Sequence, residues 1–427
     1  MDNFINFFSF NDPNIKYVVW GSILLSVSAA IVGSFIVLKK KSLVGDAVSH
    51  SVLPGICTAF LFTGTKNTSL MLVGAFISGW LSLVTIDYIT AKSKIKKDAA
   101  IGLVLSVFFA LGIVMMTYIQ QSGNAAQSGM DRFIFGKAAT LVGSDLITFS
   151  IIALVLIAVT LAFFKEFTII AFDENYAEVL GLPVRKLDML LTSLTVLAVV
   201  TGITAVGVVL MAAMLITPAA AARYWTDNIK RMVCLAAIFG AVSGLAGAYI
   251  SYIAPAMPTG PWMVVVSSLI AFFSFFFAPL GIVPKTMQRN KNSRKMVDEN
   301  ILKLFYQVGE IEDDFNKKRT ANELLNFRKM QPTQLKAGLK RLKNQKLLVS
   351  DNPYWLLTQN GLEKAKKTVR RHRLWELYLT NYMEIAPDHV HDNAEEMEHY
   401  ITPELEKQLE KYLDNPETDP HGTVIPK

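Results

Sequence analysis

Long apolar segments fill the first two thirds of the chain and stop at about residue 284. A helix that crosses the hydrocarbon layer of a membrane needs about 20 residues. The run from 187 to 222 is too long for one such helix, and Thr201-Gly202 offers a break, so we divide it into two. The other apolar windows cover 17–38, 44–63, 69–91, 98–120, 143–164, 232–254 and 261–284. The pattern predicts an all-α membrane protein with eight or nine transmembrane helices, nine when the long run is counted as two.

Basic residues in the connecting loops predict how these helices are oriented. Lysine and arginine are retained on the cytoplasmic side of a membrane. All the basic clusters fall on that side if the N-terminus is outside, and nine spans then place the C-terminus in the cytosol. The clusters are Lys39–Lys41, Lys92–Lys97, Arg185-Lys186, Arg223 with Lys230-Arg231, and Lys285–Lys295.

A change of composition separates the apolar region, 1–284, from a polar C-terminal region. The strip KTMQRNKNSRKM predicts a basic linker over 285–296. Three helical segments follow, and then two short strands around the turn signal Asp351-Asn352-Pro353. This order is typical of a winged helix-turn-helix domain, which we place at 297–360. The remaining segments predict a second helical domain over 361–427.

The third helical segment of the C-terminal region, QPTQLKAGLKRLKNQ, is basic. It carries Lys336, Lys340, Arg341 and Lys343, and the whole chain has a net charge of +7. Cationic faces favour contact with nucleic-acid phosphates, so these four residues are candidate DNA contacts of a groove-reading helix. The alternative is a solvated basic face without a nucleic-acid partner, and the sequence leaves both open.

Two functional classes find no support in the motifs of the chain. The only cysteines, Cys57 and Cys234, lie in separate predicted spans, so neither a disulfide framework nor a CxxC zinc motif is present. The phosphate-binding pattern GxxxxGK[ST] is absent, because Gly136-Lys137-Ala138 lacks both the upstream glycine and the hydroxyl. The motifs therefore give no indication of ATP hydrolysis or of an enzyme.

Two ionisable residues interrupt the second apolar window, in the stretch GDAVSHSVLPG. Asp46 and His50 share one face of a helix, because positions i and i+4 are neighbours there. If the span begins near residue 41, His50 lies about 13 Å inside it, close to the middle of the hydrocarbon layer. Ionisable residues at that depth indicate function, and a carboxylate with an imidazole suits a divalent first-row metal. The alternative is a structural pair that hydrogen-bonds neighbouring helices.

A second group of candidate metal ligands lies near the C-terminus, in RRHRLWELYL and APDHVHDNAEEMEHY. Nitrogen and oxygen donors without a thiolate suit Mn²⁺ or Fe²⁺ better than a structural Zn²⁺ site. Each set occupies one helical face, although charged surface helices are common and are the alternative interpretation. The candidate ligands are His372, Glu376, His391, Glu395, Glu398 and His399.

The apolar region resembles the permease family of bacterial ABC transporters that take up manganese, iron and zinc. The similar segments are KKKSLVGDAVSHSVLPGI, KKDAAIGLVLSVFFALGIV, FGKA, FDENYAEVLGLPVRKLDMLL and LMAAMLITPAAAA. The resemblance implies that Asp46 and His50 bind the metal in the translocation path of a multi-pass protein of the bacterial plasma membrane. It also implies three partners: a separate ATP-binding subunit, an extracellular solute-binding protein and a second permease copy.

The same resemblance implies that the segment from Asp173 to Pro183 is a coupling helix that docks on the ATPase subunit. The residues of this chain that match the coupling motif are Asp173, Glu174, Tyr176, Ala177, Glu178 and Gly181.

The C-terminal region, about 297–420, resembles the iron- and manganese-dependent repressors of the diphtheria-toxin-repressor type. The resemblance implies an ancillary metal site at His372, Glu376 and His391, and a primary, regulatory site at Glu395, Glu398 and His399. Family members also take primary-site ligands from the first helix of the winged domain. This chain departs from that pattern, because it has Asn300 and Lys303 there, with Glu299 one position away.

Three hypotheses of function follow. The first is a permease for Mn²⁺ or Fe²⁺, favoured over Zn²⁺ by Pro54 and the metal-binding tail, in which the cytosolic tail senses imported metal and regulates transport. The second is a membrane-tethered, metal-dependent transcription regulator derived from a permease. The third, a secondary transporter or channel without an ATPase, is disfavoured by the coupling-type segment.

Overall fold

The computed structural model describes residues 2–65, 67–121, 143–254, 257–328, 330–383 and 401–426. The chain divides into two compact units, Met1–Lys285 and Thr286–Lys427. We call them the membrane unit and the C-terminal unit, and describe each separately.

The described part of the membrane unit is helical throughout. Eight of the described helical stretches are long and apolar enough to cross a membrane, and the apolar helix Leu210–Arg223 is shorter. The all-α membrane class is therefore confirmed. Its helices are α1 (Asp2–Phe8), α2 (Pro13–Leu38), α3 (Leu43–Ser51), α4 (Leu53–Thr63), α5 (Thr68–Lys92), α6 (Lys97–Gln121), α7 (Gly143–Ala162), α8 (Phe164–Phe172), α9 (Glu174–Val179), α10 (Val184–Val206), α11 (Val208–Arg223), α12 (Ile229–Ile253) and α13 (Thr259–Phe277).

Helix α2 is the central helix of the membrane unit and packs closely on α11 and α12. A Cβ atom at Gly33 would overlap the carbonyl oxygen of Leu215 in α11, and one at Gly240 in α12 would lie 2.7 Å from the carbonyl oxygen of Ser26. Lipid is as apolar as a leucine side chain, so close backbone approach at small residues is what drives helices together in a membrane. These glycines therefore hold α2 in the middle of the unit.

The long apolar run from 187 to 222 forms two helices, but the break lies at Gly207 and the predicted break at Thr201-Gly202 is wrong. Gly207 has a φ of 97°, a conformation that strongly favours glycine. Gly202 stays inside α10, where a Cβ atom would overlap the sulfur of Met211. One glycine thus turns the chain, and the other lets two helices pack.

The second apolar window is also interrupted. Helix α3 ends at Ser51 and α4 begins at Leu53, with Pro54 in its first turn. Proline is tolerated there because the first amide groups of a helix have no intrahelical acceptor. As a result, Asp46 and His50 lie on a short helix of their own.

The C-terminal unit contains helices and a small antiparallel sheet with strand order β1-β3-β2. Leu348 of β2 pairs with Leu357 of β3, and Arg319 of β1 pairs with Trp355 of β3. The boundary between the two units falls within α14, so the predicted linker 285–296 is helical. The elements are α14 (Ile282–Ile311), β1 (Arg319–Thr320), α15 (Ala321–Phe327), α16 (Pro332–Asn344), β2 (Leu348–Asp351), β3 (Tyr354–Leu357), α17 (Gln359–Met383) and α18 (Pro403–Tyr412). Residues 384–400 of the predicted domain 361–427 lie outside the described residues.

The core of the C-terminal unit lies where α14 meets α16 and α17. On α16, Leu335, Leu339 and Leu342 recur at helical spacing and are buried, and each contributes roughly 1.5–3 kcal/mol by leaving water. A capping box between Thr320 and Glu323 starts α15. Three helices and a three-stranded sheet in this order form the predicted winged helix.

Replacement of Gly33 by Val should disrupt the packing of α2 on α11. The added side chain has no space against Leu215, and overpacking of this kind costs about 1–3 kcal/mol or more. The thermal unfolding temperature and the monodisperse fraction of the detergent-purified chain should both fall. The matched control is Gly102→Val in α6, because a Cβ atom at Gly102 meets no heavy atom within 4 Å. Equal effects of the two changes would contradict the packing argument.

Candidate metal sites and the coupling segment

Asp46 and His50 lie in the first and last turns of α3, on one face. His50 Nε2 is 3.6 Å from Asp46 Oδ1, which is too long for a good hydrogen bond. The Asp46 side chain is 48% exposed and the His50 side chain is 22% exposed. The edge of the His50 ring contacts Phe109, with ring centroids 5.1 Å apart. His50 Nδ1 is buried and has no hydrogen-bond partner among the described residues. The two side chains are therefore accessible and interact only weakly with each other.

Neighbouring helices hold α3 rigidly behind this pair. Ala47 and Val48 are fully buried. The Ser78 hydroxyl of α5 donates a 2.6 Å hydrogen bond to the carbonyl oxygen of Ser51. On the opposite side, Gly45 approaches Leu215 of α11 so closely that an added Cβ would lie 3.0 Å from its side chain. The backbone that carries Asp46 and His50 is thus fixed by packing on both sides.

Among the described residues, Asp46 and His50 are not joined by a third potential metal ligand. Within the described residues, no group of three or more His, Cys, Asp or Glu side chains lies close enough to hold a metal ion. Divalent first-row metals in proteins take four or more ligands. The Asp46–His50 pair offers two donor groups, fewer than such an ion takes.

The predicted coupling segment forms the short helix α9, and its residues play different structural roles. Asp173 caps the helix by accepting a 2.9 Å hydrogen bond from the backbone N–H of Tyr176. Gly181, with a φ of 76°, follows the helix and turns the chain. Ala177 is fully buried, whereas Tyr176 and Glu178 are exposed. The exposed surface also includes the apolar side chains of Val179 and Leu180.

A buried ammonium group connects α9 to the end of α2. Lys39 Nζ lies 2.9 Å from Glu174 Oε1 and 2.6 Å from Asp188 Oδ1, and Lys41 Nζ lies 2.9 Å from Asp188 Oδ2. Burial alone lowers the pKa of Lys39, but hydrogen bonds to Asp188 and Glu174 outweigh it and hold this pKa above its usual value. The sequence identified Lys39 and Lys41 only as orientation signals. The sequence signal for this contact was the pair of lysines two positions apart, Lys39 and Lys41, together with the acidic residues of the predicted coupling segment.

In the C-terminal unit, His372 and Glu376 lie side by side on α17, and the side chain of each is 3% exposed. His372 Nε2 is 3.0 Å from Glu376 Oε1. On its other side, His372 Nδ1 is 3.2 Å from Nζ of Lys303 in α14. The other four candidate ligands, His391, Glu395, Glu398 and His399, lie outside the described residues.

The basic residues of α16 divide into two groups. Lys336, Lys340 and Lys343 are exposed and share one face. Arg341 instead lies half-buried against α14, where its Nε and Nη2 atoms donate to Asp298 Oδ1 at 3.0 and 2.7 Å. The geometry therefore leaves three of the four candidate DNA contacts on the solvent side.

Comparison with protein families gives two matches. Residues 11–278 match the ABC 3 transport family. Residues 358–427 match the domain described as iron dependent repressor, metal binding and dimerisation domain. Both resemblances inferred from the motifs are thereby confirmed.

Individual relatives support the same two-part organisation. The manganese transport system membrane protein MntC of Bacillus subtilis (strain 168) is 42% identical over 394 residues, 92% of this chain and 88% of that protein. The zinc transport system membrane protein TroC of Treponema pallidum (strain Nichols) is 41% identical over 285 residues, 66% of this chain and 96% of that protein. Among solved structures, PsaBC from Streptococcus pneumoniae in complex with Fab contains a chain that is 32% identical, with a TM-score of 0.59, covering 66% of this chain and 99% of that one.

Proposed function

Because this chain belongs to the ABC 3 transport family and is a metal-transport permease, we propose that its cargo is Mn²⁺ or Fe²⁺ in preference to Zn²⁺. The Asp46–His50 pair carries this proposal, since it offers one carboxylate and one imidazole and no thiolate. MntC of Bacillus subtilis, which matches this chain beyond the membrane unit as well, is named as a manganese transport protein. The zinc relative matches over the shorter length.

The metal path is completed by a second copy of the chain. Each copy contributes Asp46 and His50, so two copies supply four nitrogen and oxygen ligands. The metal is bound with Asp46 ionised and His50 neutral, because metal ligands must be deprotonated. The half-exposed Asp46 side chain receives the ion that an extracellular solute-binding protein delivers.

Asp46→Asn should abolish metal uptake while the transporter complex still assembles. The change keeps the shape of the side chain and removes its charge. Even changes outside the ligand shell of a metal site cost about 10–100-fold, so we expect at least that loss in uptake of radioactive manganese and iron by cells. The control is Asp227→Asn, which removes an exposed carboxylate paired with Arg223. Normal uptake by the Asp46→Asn variant would contradict the assignment.

The segment from Asp173 to Pro183 couples this path to a separate ATP-binding subunit. Its exposed face, formed by Tyr176, Glu178 and Val179, is the docking surface for that subunit. Movement of α9 reaches α2 through the contact of Glu174 with Lys39, and Lys39 lies four residues before α3. The ammonium group of Lys39 thus transmits the motion of the ATPase towards the helix that holds the metal.

Lys39→Met should uncouple ATP hydrolysis from uptake. Methionine fills the space of the lysine stem but cannot bind Glu174 or Asp188. In the reconstituted complex, ATP hydrolysis should persist while metal ions moved per ATP fall by about 5-fold or more, the lower end of usual coupling energies. Lys40→Met is the control, because Lys40 is exposed. An unchanged ratio of transport to hydrolysis would rule out this role, and uptake without any ATPase partner would favour a secondary transporter.

The C-terminal unit regulates transport from the cytosolic side. This proposal rests on the union, in one chain, of a metal path with a domain of a metal-binding and dimerisation family. Metal that accumulates in the cytosol strengthens dimerisation of these units and holds the permease in a state of low transport. An alternative function is a membrane-tethered transcription regulator, which the exposed face of Lys336, Lys340 and Lys343 favours.

A chain that ends after residue 296 should escape shutdown at high external metal. We expect it to accumulate about 5-fold more metal than the full chain under that condition, and similar amounts at low external metal. Uptake of radioactive manganese at both concentrations measures the difference. Unchanged uptake together with altered transcription from the promoter of the chain's own gene would favour the transcription regulator instead.

A further inference from the structure

Three buried polar side chains form a continuous row between α14 and α17. Lys303 is fully buried, and His372 and Glu376 are almost so. The imidazole of His372 lies between the other two, 3.2 Å from Lys303 Nζ and 3.0 Å from Glu376 Oε1. A buried carboxylate needs a compensating positive charge, and the lysine of α14 provides it across the histidine.

The chemistry of lysine determines how this row is hydrogen-bonded. An ammonium group donates hydrogen bonds and cannot accept them. His372 Nδ1 must therefore accept from Lys303, which places the ring proton on Nε2, where it is donated to Glu376. The only lone pair of the neutral ring thus faces an ammonium group, so His372 has no lone pair directed to a metal.

The family of this domain implies a resident metal, and the donors that the structure describes at this position, His372 and Glu376 with Lys303 beside them, do not fit one. A divalent ion bound by His372 would displace Lys303 or lie within a few ångströms of its positive charge. We infer that the Lys303 ammonium group takes the place of a metal cation, and that the His372–Glu376 pair binds no metal. This inference does not depend on the proposed transport function.

Other carboxylates around α14 and α17 are also paired with cations from the chain itself. Asp298 binds Arg341 through two nitrogen atoms. Glu310 binds Arg373 at 3.0 and 2.6 Å. Glu299, the acid one position from the family's ligand position, is buried with Arg371 Nη2 3.8 Å away. Internal cations therefore hold α14 against both of its neighbours: Arg341 against α16, and Lys303, Arg371 and Arg373 against α17.

The consequence concerns the regulatory role. The fold of the α14–α17 contact then needs no metal, since Lys303 supplies a positive charge there. Any response of the C-terminal unit to metal must use ligands other than His372 and Glu376.

Binding of Mn²⁺ to the full chain in lipid nanodiscs tests the inference. All chains carry Asp46→Asn, so that the transport path contributes no site, and bound Mn²⁺ is measured by equilibrium dialysis. Adding His372→Gln should leave the amount of bound Mn²⁺ unchanged. Lys303→Glu should raise Mn²⁺ affinity at least tenfold, and His372→Gln should remove this gain. Lys340→Glu, at an exposed position, is the control for the change of charge.

Two results would overturn the inference. One is a loss of bound Mn²⁺ when His372→Gln is introduced into the chain that keeps Lys303. The other is a Lys303→Glu chain that folds, as judged by its circular dichroism, and gains no Mn²⁺ affinity.

A second variant covers the case in which Lys303→Glu does not fold. Lys303→Met removes the charge with little change in volume, and should make the C-terminal unit at least several-fold more sensitive to protease. Mn²⁺, but not Mg²⁺, should restore its resistance, because a cation that accepts imidazole nitrogen can replace the lost ammonium. Unaltered protease sensitivity of Lys303→Met would also overturn the inference.

Discussion

The ammonium group of Lys39, buried between the carboxylates of Glu174 and Asp188, is the interaction on which the organisation of the membrane unit depends. It joins the end of the central helix α2 to the short helix α9 and, through Asp188, to the N-terminal part of α10. Removal of a charge from water is costly unless an opposite charge meets it with good geometry, so these three segments cannot separate freely. The proposed coupling segment is thereby tied to the chain just before α3, the helix that carries Asp46 and His50.

The Asp46–His50 pair, unlike Lys39, is not enclosed by partners of opposite charge. Its backbone is fixed between α5 and α11, but its side chains are partly exposed and do not satisfy each other. A transport site has to bind its cargo and then release it, which favours a pair whose best partner is the cargo itself. Lys39 is thus closed on carboxylates of its own chain, whereas Asp46 and His50 keep donor atoms open, as the proposed transport site requires.

The C-terminal unit shows how a metal-binding architecture can be retained while one of its sites is closed. Lys303 and His372 belong to helices that pack whether or not an ion is present. The Lys303 ammonium group balances the charge of Glu376, and the three side chains form a hydrogen-bonded row. At the His372–Glu376 pair, the charge of Lys303 stands in place of a metal ion. A sensing domain with such a substitution responds to metal only through ligands elsewhere.

The sequence by itself determined the membrane class, the position of most helices, the winged-helix order and the two families. Apolar length, helical spacing and contiguous motifs are local properties, so they can be read without coordinates. The break at Gly207 was missed because both glycines of that run permit a turn, and only packing against Met211 assigns Gly202 to the helix interior. The engagement of Arg341 by Asp298, of Glu174 by Lys39 and of His372 by Lys303 was decided by tertiary structure alone. Each of these contacts joins residues far apart in the chain, and no spacing rule states which buried charge will meet which partner.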